Sequence, residues 1–340
     1  MKILIDIGHP AHVHLFKNFA KYMQQSGHEI LFTCRDKEFE IYLLQHNDFK
    51  YVSFGKKYNT TIGKLFGLLK FDLMEVYQAI KFKPDLFLSA GSMYAAHASF
   101  VYRKPHFTFE DTFNMEQVRL YLPFTEVVFA SRVPKNVKID EQKLYRYSGY
   151  HELAYLHPNW FKANMDIYKV LGLKNGEKYI LIRFVSWNAS HDKGQSGILD
   201  NQKEKLINEL SKRAKIFISS ESPLPDKWKK YQLKAPAHLI HDIMAEAIMF
   251  IGEGATMASE CAMLGTPAIY VNSLDAETIK EQENYGLLFK YDNGEHILDK
   301  ALELLDMPNL KEFFKSRQET MLKDKIDVTQ MLINYVEEYI

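Results

Sequence analysis

Short apolar runs alternate with amphipathic stretches along the whole chain. In the first half, runs such as KILIDIG (residues 2–8), DLFLSAG and HFTFED are each followed by residues with helical spacing. The rhythm restarts after Pro158, where KYILIRF, KIFISSE, AIMFIG and PAIYV are separated by helical segments. Apolar strands that alternate with helices are typical of a parallel sheet with both faces covered. The pattern therefore predicts an α/β fold.

Two such series predict two Rossmann-like domains, with a break near SGYHELAYLHPNW (residues 148–160). We predict an amino-terminal domain over residues 1–150 and a carboxyl-terminal domain over residues 151–326. A terminal helix is predicted over residues 327–340, with Asp327 as its N-cap. The length of 340 residues fits two domains at roughly 150 residues each.

Composition narrows the classes of function. Lys and Arg total 43 and Asp and Glu total 43, so the formal net charge is zero. A protein that binds nucleic acid over a broad basic surface is therefore disfavoured, and no nucleic-acid partner is predicted. The two cysteines, Cys34 and Cys261, cannot form a disulfide framework and fit a reducing cytoplasm.

The longest stretch without Lys, Arg, Asp or Glu covers residues 86–102, which is 17 residues. A membrane span needs about 20 residues, so we predict a soluble, cytoplasmic protein. A segment rich in lysine and apolar residues, from Lys56 to Phe71, leaves open peripheral contact with the inner face of the membrane. A core-facing helix with a lysine edge is the more common interpretation of this pattern.

The segment IMFIGEGATMASECAMLGTPAIYV (residues 248–271) predicts a strand, a tight turn and a helix. The strand should end at Gly252, and Gly254 allows the backbone a close approach to a ligand. With Thr256 as N-cap, the first amides and the positive end of the helix would form a site for a diphosphate. One turn later, Glu260 is suited to accept hydrogen bonds from a ribose diol. Glycines alone would indicate an ordinary turn, but their combination with Glu260 favours nucleotide binding.

This segment resembles the nucleotide-sugar site of the GT-B glycosyltransferases, especially the N-acetylglucosaminyltransferases that form lipid II. In that family a Ser-Gly-Ala turn leads to a Ser-Glu pair and then to Gly-x-Pro. The matching residues here are Gly254, Ala255, Ser259, Glu260, Gly265 and Pro267. The resemblance implies a GT-B-like fold, with two parallel sheets facing each other across a cleft. It also implies that Glu260 binds the ribose of UDP, while Met257 stands where the family has a hydroxyl residue.

Other segments follow the same family in order. GHPAHVHLF (residues 8–16) takes the place of the glycine-rich loop, so Gly8 is assigned to the nucleotide-sugar site and His12 matches the family histidine. In PHFTFED, Glu110 matches a family glutamate, whereas Phe109 replaces its histidine. The chain also resembles, over nearly its whole length, a family of bacterial and archaeal GT-B-like proteins without an assigned function. That context implies cell-envelope or surface-polysaccharide synthesis.

Polar residues after two other strands of the second half are candidate ligand contacts. Arg183 and Ser186 follow a predicted strand, and a guanidinium matches phosphate geometry well. The alternative for this loop is a polar surface segment, and the sequence does not decide between the two. Gln282 lies where the lipid II-forming enzymes contact the donor sugar, although a solvated helix face is the competing interpretation.

The predicted reaction is transfer of a sugar from a nucleotide-diphosphate sugar, with UDP-sugar favoured, to a sugar or lipid-linked sugar acceptor. No Asp-x-Asp triplet occurs, so neither a metal ion nor another cofactor is expected. His9, His12 and His14 have spacing suited to metal ligands, but no cysteine or carboxylate cluster accompanies them. The general base is sought among Glu110, Asp111 and His12, with a structural role open for His12.

Two other functions remain open. A non-hydrolysing UDP-N-acetylglucosamine 2-epimerase would share the architecture, but its paired glutamates are Ser259 and Glu260 here. Its Gly-Thr-Arg-Pro-Glu opening is replaced by DIGHPAH. The second alternative is a protein that binds a nucleotide-sugar without catalysis.

Overall fold

The computed structural model describes residues 1–56, 58, 61–134, 137–185, 197–273 and 276–339. The chain divides into two compact units. Unit 1 comprises Met1–Trp160 and Ile326–Ile340, and unit 2 comprises Phe161–Lys325. Each unit contains a parallel sheet accompanied by helices, which confirms the predicted α/β fold class.

Unit 1 contains a seven-stranded parallel sheet with the order β3-β2-β1-β4-β5-β6-β7. Its strands are β1 (Lys2–Ile7), β2 (Glu29–Asp36), β3 (Tyr51–Lys56), β4 (Leu86–Ala90), β5 (His106–Glu110), β6 (Val127–Ser131) and β7 (Leu144–Tyr147). Its first helices are α1 (Pro10–Gln25), α2 (Glu40–His46), α3 (Thr61–Phe82), α4 (Met93–Tyr102), α5 (Met115–Tyr121) and α6 (Leu153–Leu156).

Unit 2 contains a five-stranded parallel sheet with the order β12-β11-β10-β8-β9. Its strands are β8 (Tyr179–Phe184), β9 (Lys215–Ser220), β10 (Met249–Gly252), β11 (Ala268–Val271) and β12 (Leu288–Tyr291). Its helices are α7 (Ile167–Val170), α8 (Asp200–Leu210), α9 (Ile240–Glu246), α10 (Ala255–Leu264), α11 (Glu277–Asn284), α12 (Ile297–Asp306) and α13 (Leu310–Asp324). The last helix of the chain, α14 (Val328–Tyr339), belongs to unit 1.

The central strands are buried along their length. Ile3, Leu4 and Ile5 of β1 are fully buried, as are Ile180 and Leu181 of β8. A strand covered on both faces needs consecutive apolar residues rather than alternating ones, which is why these strands were visible in the sequence as continuous runs.

Each sheet has a point where the strand order reverses. In unit 1 this point lies between β1 and β4, and in unit 2 it lies between β8 and β10. In open parallel sheets, the loops at the carboxyl ends of such a strand pair separate and leave a crevice for ligands. The GEGATM turn after β10 lies at the reversal point of unit 2.

The unit boundaries follow from contacts of the carboxyl-terminal segment. Trp160 donates its Nε1 hydrogen to Asp327, at 2.8 Å from each carboxylate oxygen, and Thr329 donates to the carbonyl of Ala154 at 2.6 Å. Residues 151–160 therefore remain with unit 1, ten residues beyond the boundary expected at residue 150. The backbone N–H of Gln330 donates to Asp327 at 2.9 Å, so Asp327 caps α14 as its sequence position suggested.

Within the described ranges, no helix combines the length and the apolar character needed to cross a bilayer.

Candidate functional site

The helix α10 begins with an open amino end directly after the central strand β10. Gly252 is required there, because a Cβ atom would lie 2.5 Å from Cζ of Phe250 and 3.0 Å from Cβ of Arg183. The N-cap is Gly254, which supplies no side-chain acceptor. Ala255 and Thr256 are exposed at this end. The positive end of a ten-residue helix therefore opens at the reversal point of the sheet.

The prediction that Thr256 is the N-cap is wrong. Gly254 has extended backbone angles, with φ −95° and ψ 121°, and its carbonyl accepts a hydrogen bond from the N–H of Ala258 at 3.2 Å. The N-cap thus lies two residues before the hydroxyl residue that sequence preference selects. Thr256 occupies the second position of the helix, where its side chain is exposed.

Glu253 stabilises the turn through hydrogen bonds to neighbouring segments. Its buried carboxylate accepts hydrogen bonds from the backbone N–H of Val185 at 3.0 Å and from that of Ile198 at 2.8 Å. Its carbonyl accepts a hydrogen bond from the side-chain amide of Asn272 at 3.2 Å. Sequence analysis passed over this residue, although an acid between two glycines at a strand end was an available signal. Ser186, the predicted phosphate contact, lies outside the described residues.

Glu260 lies on the second turn of α10 and is 5% exposed. Its Oε1 lies 3.0 Å from Nε2 of His241, which comes from α9 and is equally buried. A buried carboxylate needs such a partner, since an isolated charge is strongly disfavoured away from water. Glu260, the residue predicted to bind the ribose, is thus held in place by His241, and sequence analysis did not predict this pairing.

The neighbouring predicted contacts, Ser259 and Gln282, form a second buried pair. Gln282 of α11 is fully buried and donates from Nε2 to Oγ of Ser259 at 2.6 Å. This bond attaches α11 to α10. The sequence-based role of Gln282 in contacting a donor sugar stays a prediction, and it requires that this side chain become uncovered.

Arg183 lies near the end of β8, beside Gly252 of β10. Its guanidinium donates to Oγ of Ser219 at 2.7 Å and to Oε1 of Glu221 at 2.9 Å, both from the segment that begins with β9. These bonds direct the guanidinium toward β9. Phosphate binding by Arg183 stays a prediction, in which a diphosphate would compete with Glu221 for the same donors.

In unit 1, Gly8 and His12 lie together after β1. The N–H of Gly8 donates to Nδ1 of His12 at 3.3 Å, which leaves Nε2 to carry the proton in the neutral ring. His9 caps α1, because its Nδ1 accepts a hydrogen bond from the N–H of Ala11 at 3.2 Å. A Cβ atom on Gly8 would lie 2.9 Å from Nη2 of Arg35, so glycine allows this close approach.

Arg35 belongs to a buried polar cluster beneath that turn. Its guanidinium pairs with Asp6 of β1, which also accepts a hydrogen bond from Ser92 at the start of α4. Thr33 donates to Oε1 of Glu75 at 2.9 Å. Burial, reinforced by the charge of Asp6, holds the pKa of Glu75 well above its ordinary value. The cluster therefore contains one ion pair beside a carboxyl with a raised pKa, and it supports the turn at Gly8.

Glu110, a predicted base, accepts four hydrogen bonds. Oε1 accepts from the N–H and hydroxyl of Thr112, both at 2.9 Å, and from the N–H of Phe113 at 2.8 Å. Oε2 accepts from the hydroxyl of Tyr121, whose pKa is raised by burial and by the charge of Glu110. The carboxylate is buried and organises the turn after β5. Its role as a base stays a prediction.

Asp111 follows directly and is more accessible. Its side chain is 56% exposed, and Oδ2 lies 3.5 Å from Nδ1 of His151, which follows β7. Glu152 approaches the same nitrogen at 3.6 Å. Two carboxylates thus lie within ion-pair distance of one imidazole at the carboxyl edge of the unit 1 sheet, and a histidine beside a carboxylate is a common general base. Sequence analysis quoted the SGYHE segment but did not select His151.

Across the described ranges, no group of three or more His, Cys, Asp or Glu side chains is arranged to hold a metal ion. His9, His12 and His14 are within those ranges. Independence from metal ions stays a prediction.

Solved structures with the same fold include two UDP-GlcNAc 2-epimerases and a glycosyltransferase. The epimerase from Neisseria meningitidis bound to UDP-GlcNAc superposes with a TM-score of 0.70 at 14% identity, covering 99% of this chain and 100% of that chain. The epimerase from Methanocaldococcus jannaschii has a TM-score of 0.66 at 14% identity, covering 91% and 94%. A spinosyn rhamnosyltransferase complexed with spinosyn aglycone has a TM-score of 0.60 at 12% identity, covering 99% and 100%.

These similarities confirm the predicted GT-B-like fold class of two Rossmann-like domains. No relative among functionally curated proteins matches the sequence. The model of the family described as "Protein of unknown function (DUF354)" matches residues 1–340, and this confirms the suspected GT-B-like family. The chain belongs to the DUF354 family.

Proposed function

We propose that this protein is a GT-B glycosyltransferase that takes a nucleotide-diphosphate sugar, with UDP-sugar favoured, and transfers the sugar without a metal ion. The observation that carries the proposal is the open amino end of α10 at the reversal point of the unit 2 sheet, with Glu260 one turn further. The acceptor is a sugar or a lipid-linked sugar, and the setting is cell-envelope or surface-polysaccharide synthesis. No cofactor takes part in the proposed reaction.

The donor is bound through charge and through hydrogen bonds. The free amides at the start of α10 attract the diphosphate, and the helix dipole stabilises its negative charge. Glu260 accepts hydrogen bonds from the ribose while His241 holds the carboxylate in position. A protein of the same fold, the epimerase from Neisseria meningitidis, is bound to UDP-GlcNAc, which supports a UDP-sugar as the donor.

Transfer requires removal of a proton from the acceptor hydroxyl and stabilisation of the leaving UDP. The pair of Asp111 and His151 is the arrangement in unit 1 best suited to accept the proton, because the carboxylate stabilises the imidazolium that forms. Glu110 and His12 remain the other candidates for the base. The amino end of α10 and Arg183 stabilise the charge that develops on the UDP oxygen.

A second candidate reaction is epimerisation at C2 of UDP-GlcNAc. The epimerase structures superpose with TM-scores of 0.70 and 0.66, against 0.60 for the rhamnosyltransferase. Both reactions need a positioned base, and the transferase is favoured because the paired glutamates of the epimerases are Ser259 and Glu260 here.

The donor site is tested with Glu260→Ala, with UDP as the probe in isothermal titration calorimetry. Loss of hydrogen bonds from a charged group is worth about 1.5–3 kcal/mol, so affinity should fall roughly 10- to 150-fold. Glu312→Ala, an exposed carboxylate of unit 2, is the matched control and should bind as the wild type does. A thermal unfolding curve checks that the unpaired His241 has not unfolded the unit. Equal affinity in a folded Glu260→Ala protein would contradict the ribose assignment.

The reaction is tested with a panel of UDP-sugars and sugar acceptors, by following UDP release. His151→Ala should lower turnover at least about 100-fold and leave UDP affinity unchanged, as general bases contribute roughly 10²–10⁴-fold. A parallel incubation in D₂O without acceptor tests the alternative, because epimerisation incorporates solvent deuterium at C2. UDP binding with neither activity would indicate a binding protein instead.

A further inference from the structure

The outer face of α3 in unit 1 is apolar. Phe66, Leu69, Leu73, Tyr77 and Ile80 are between 58% and 71% exposed. Every exposed residue from Phe66 to Ile80 belongs to this set, so no charged side chain interrupts it. We refer to these five side chains as the α3 stripe.

The inner face of the same helix is mixed, because Phe71, Ala79 and Phe82 are buried there together with polar residues. Glu75 is fully buried and hydrogen-bonds to Thr33, while Asp72 lies 3.0 Å from Nδ1 of His97. Gln78 is also buried. A helix on the surface of a monomer has apolar residues inward and polar residues outward, whereas a helix with apolar residues on both faces is covered on both. The apolar outer face therefore indicates that the α3 stripe is covered by another surface in the working protein.

The spacing of the stripe is symmetric about its centre. Leu73 lies seven residues from both Phe66 and Ile80 and four residues from both Leu69 and Tyr77. An interface about a two-fold axis has this property, because each residue and its contact exchange roles between the two copies. We propose that two copies of this chain associate through antiparallel α3 helices, with Leu73 of each copy at the axis. Phe66 of one copy then packs on Ile80 of the other, and Leu69 packs on Tyr77.

The area is sufficient for a specific dimer. At about 200 Å² for a large side chain, five side chains that are roughly 60% exposed present about 600 Å² per copy, or about 1,200 Å² in the pair. That total reaches the range of stable interfaces. The neighbouring helix α4 exposes Phe100 and Val101 as well, at 65% and 61%.

The charge of the exposed residues on α3 favours a second copy of the chain, rather than an anionic membrane, as the surface that covers the α3 stripe. A helix that lies in a membrane interface keeps a lysine- and arginine-rich face in the water. In α3 no lysine or arginine is among the exposed residues from Phe66 to Ile80, and the exposed Lys81 lies beyond the stripe near the end of the helix. Homodimer interfaces are the more apolar kind of protein interface and match this composition.

The test places charged residues at Leu73, the position on the proposed axis, and measures association of the full chain by sedimentation velocity. The wild type should sediment as a dimer at micromolar concentration. Leu73→Glu and Leu73→Lys should each weaken association at least about 100-fold, because like charges would meet at the axis. An equimolar mixture of the two variants should restore the dimer, because opposite charges then meet. Val170→Glu, at a 44% exposed apolar residue of unit 2, is the control and should remain dimeric.

Circular dichroism establishes that each variant is folded before its association is compared. A monomeric wild type overturns the proposal, as does a dimer that both Leu73 variants leave intact. If each Leu73 variant is monomeric and their equimolar mixture is monomeric too, the proposed position of the axis at Leu73 is wrong. A monomeric wild type that co-sediments with phosphatidylserine vesicles, and a Leu73→Glu variant that does not, would assign the stripe to a membrane instead. None of these outcomes depends on UDP binding, so they are separate from the test of the proposed function.

Discussion

His106 shows how burial acts on a single ionisable residue. Its ring is 1% exposed and is hydrogen-bonded on both sides, to Ser89 at 2.9 Å and to Thr125 at 2.8 Å. Burial, with a smaller contribution from the charge of His97, lowers the pKa of His106 from 6.5 to about 3. The ring is therefore neutral in the folded protein over the physiological range.

This shift predicts a defined loss of stability in acid. Between pH 6.5 and about 3 the unfolded chain binds a proton that the folded ring does not, so the free energy of unfolding falls as the pH falls. At pH 5 the loss amounts to about 2 kcal/mol. The variant His106→Gln lacks the titrating ring, so it should not lose this stability in acid. The difference in free energy of unfolding between the wild type and the variant should therefore narrow by about 2 kcal/mol between pH 7 and pH 5.

Urea denaturation at the two pH values measures the gap. His296→Gln serves as the control, because that side chain is 78% exposed and the substitution should leave the pH dependence unchanged. A gap of constant size would show that His106 does not titrate in this window.

Sequence analysis missed two pairing partners, His241 and His151, for the same reason. Glu260 pairs with His241 at a separation of 19 residues, and Asp111 pairs with His151 at a separation of 40. Each residue type was visible, and both Glu260 and Asp111 were selected for their positions after strands. Their partners were not predictable, because local spacing carries no information on which distant loops the sheet brings together.

Among the elements, the strand–turn–helix from β10 to α10 was predicted best. Its strand is a continuous apolar run, and its glycines mark the turn. The helix start was misplaced because Thr is a preferred N-cap residue, while the backbone of Gly254 closes the first helical bond. The structure shows that steric room decides the residue at the end of β10.

Gly252→Ala tests that steric requirement. The added methyl group would overlap the ring of Phe250, which is fully buried, so the free energy of unfolding should fall by about 1–3 kcal/mol. UDP affinity should fall as well, because Phe250 and the turn must shift. Chemical denaturation and calorimetry with UDP give the two values.

Gly254→Ala is the matched control, since the nearest atom to its new Cβ would be Cγ1 of Val185 at 3.8 Å. Alanine is a poorer N-cap than glycine, so a stability loss of roughly 1 kcal/mol or less is expected. Equal losses in the two variants would mean that crowding at Phe250 is not the reason for Gly252.

The α3 helix illustrates the limit of pattern analysis for an element. Its lysine and apolar composition suggested either a core-facing helix or a membrane-surface helix. The structure buries Phe71 and Phe82 of this helix together with Glu75, and leaves Leu73 outside. When a helix has apolar residues on both faces, hydrophobic periodicity does not specify which of them are turned toward the sheet, because polar residues with hydrogen-bond partners can be buried there too.

At the scale of the molecule, the chain leaves unit 1 after Trp160 and returns to it at Ile326. The helix α14 contributes buried apolar residues to unit 1, including Leu332, Ile333 and Val336. Unit 1 is thus formed from segments at both ends of the chain, and it requires its last helix for a complete core.

Ile333→Ala should therefore destabilise unit 1 selectively. Removing a fully buried isoleucine side chain costs about 2–5 kcal/mol. In hydrogen exchange measured by mass spectrometry, peptides from α1 and α6 should exchange faster, while peptides from unit 2 keep the wild-type rate.

The exposed Glu338→Ala on the same helix is the control and should show wild-type exchange throughout. Faster exchange in both units of Ile333→Ala would show that they unfold as one cooperative body.

The sequence by itself determined the fold class, the number of units and the position of the glycine-containing turn between β10 and α10. These depend on local periodicity, on continuous apolar strands and on glycines, which act over a few residues. Only the tertiary structure decided that residues 151–160 and α14 complete unit 1, that Glu260 is held by His241, and that a stripe of apolar residues on α3 is left exposed. The physical reason is that burial and side-chain pairing depend on which distant segments come into contact, and that is a property of the packed chain.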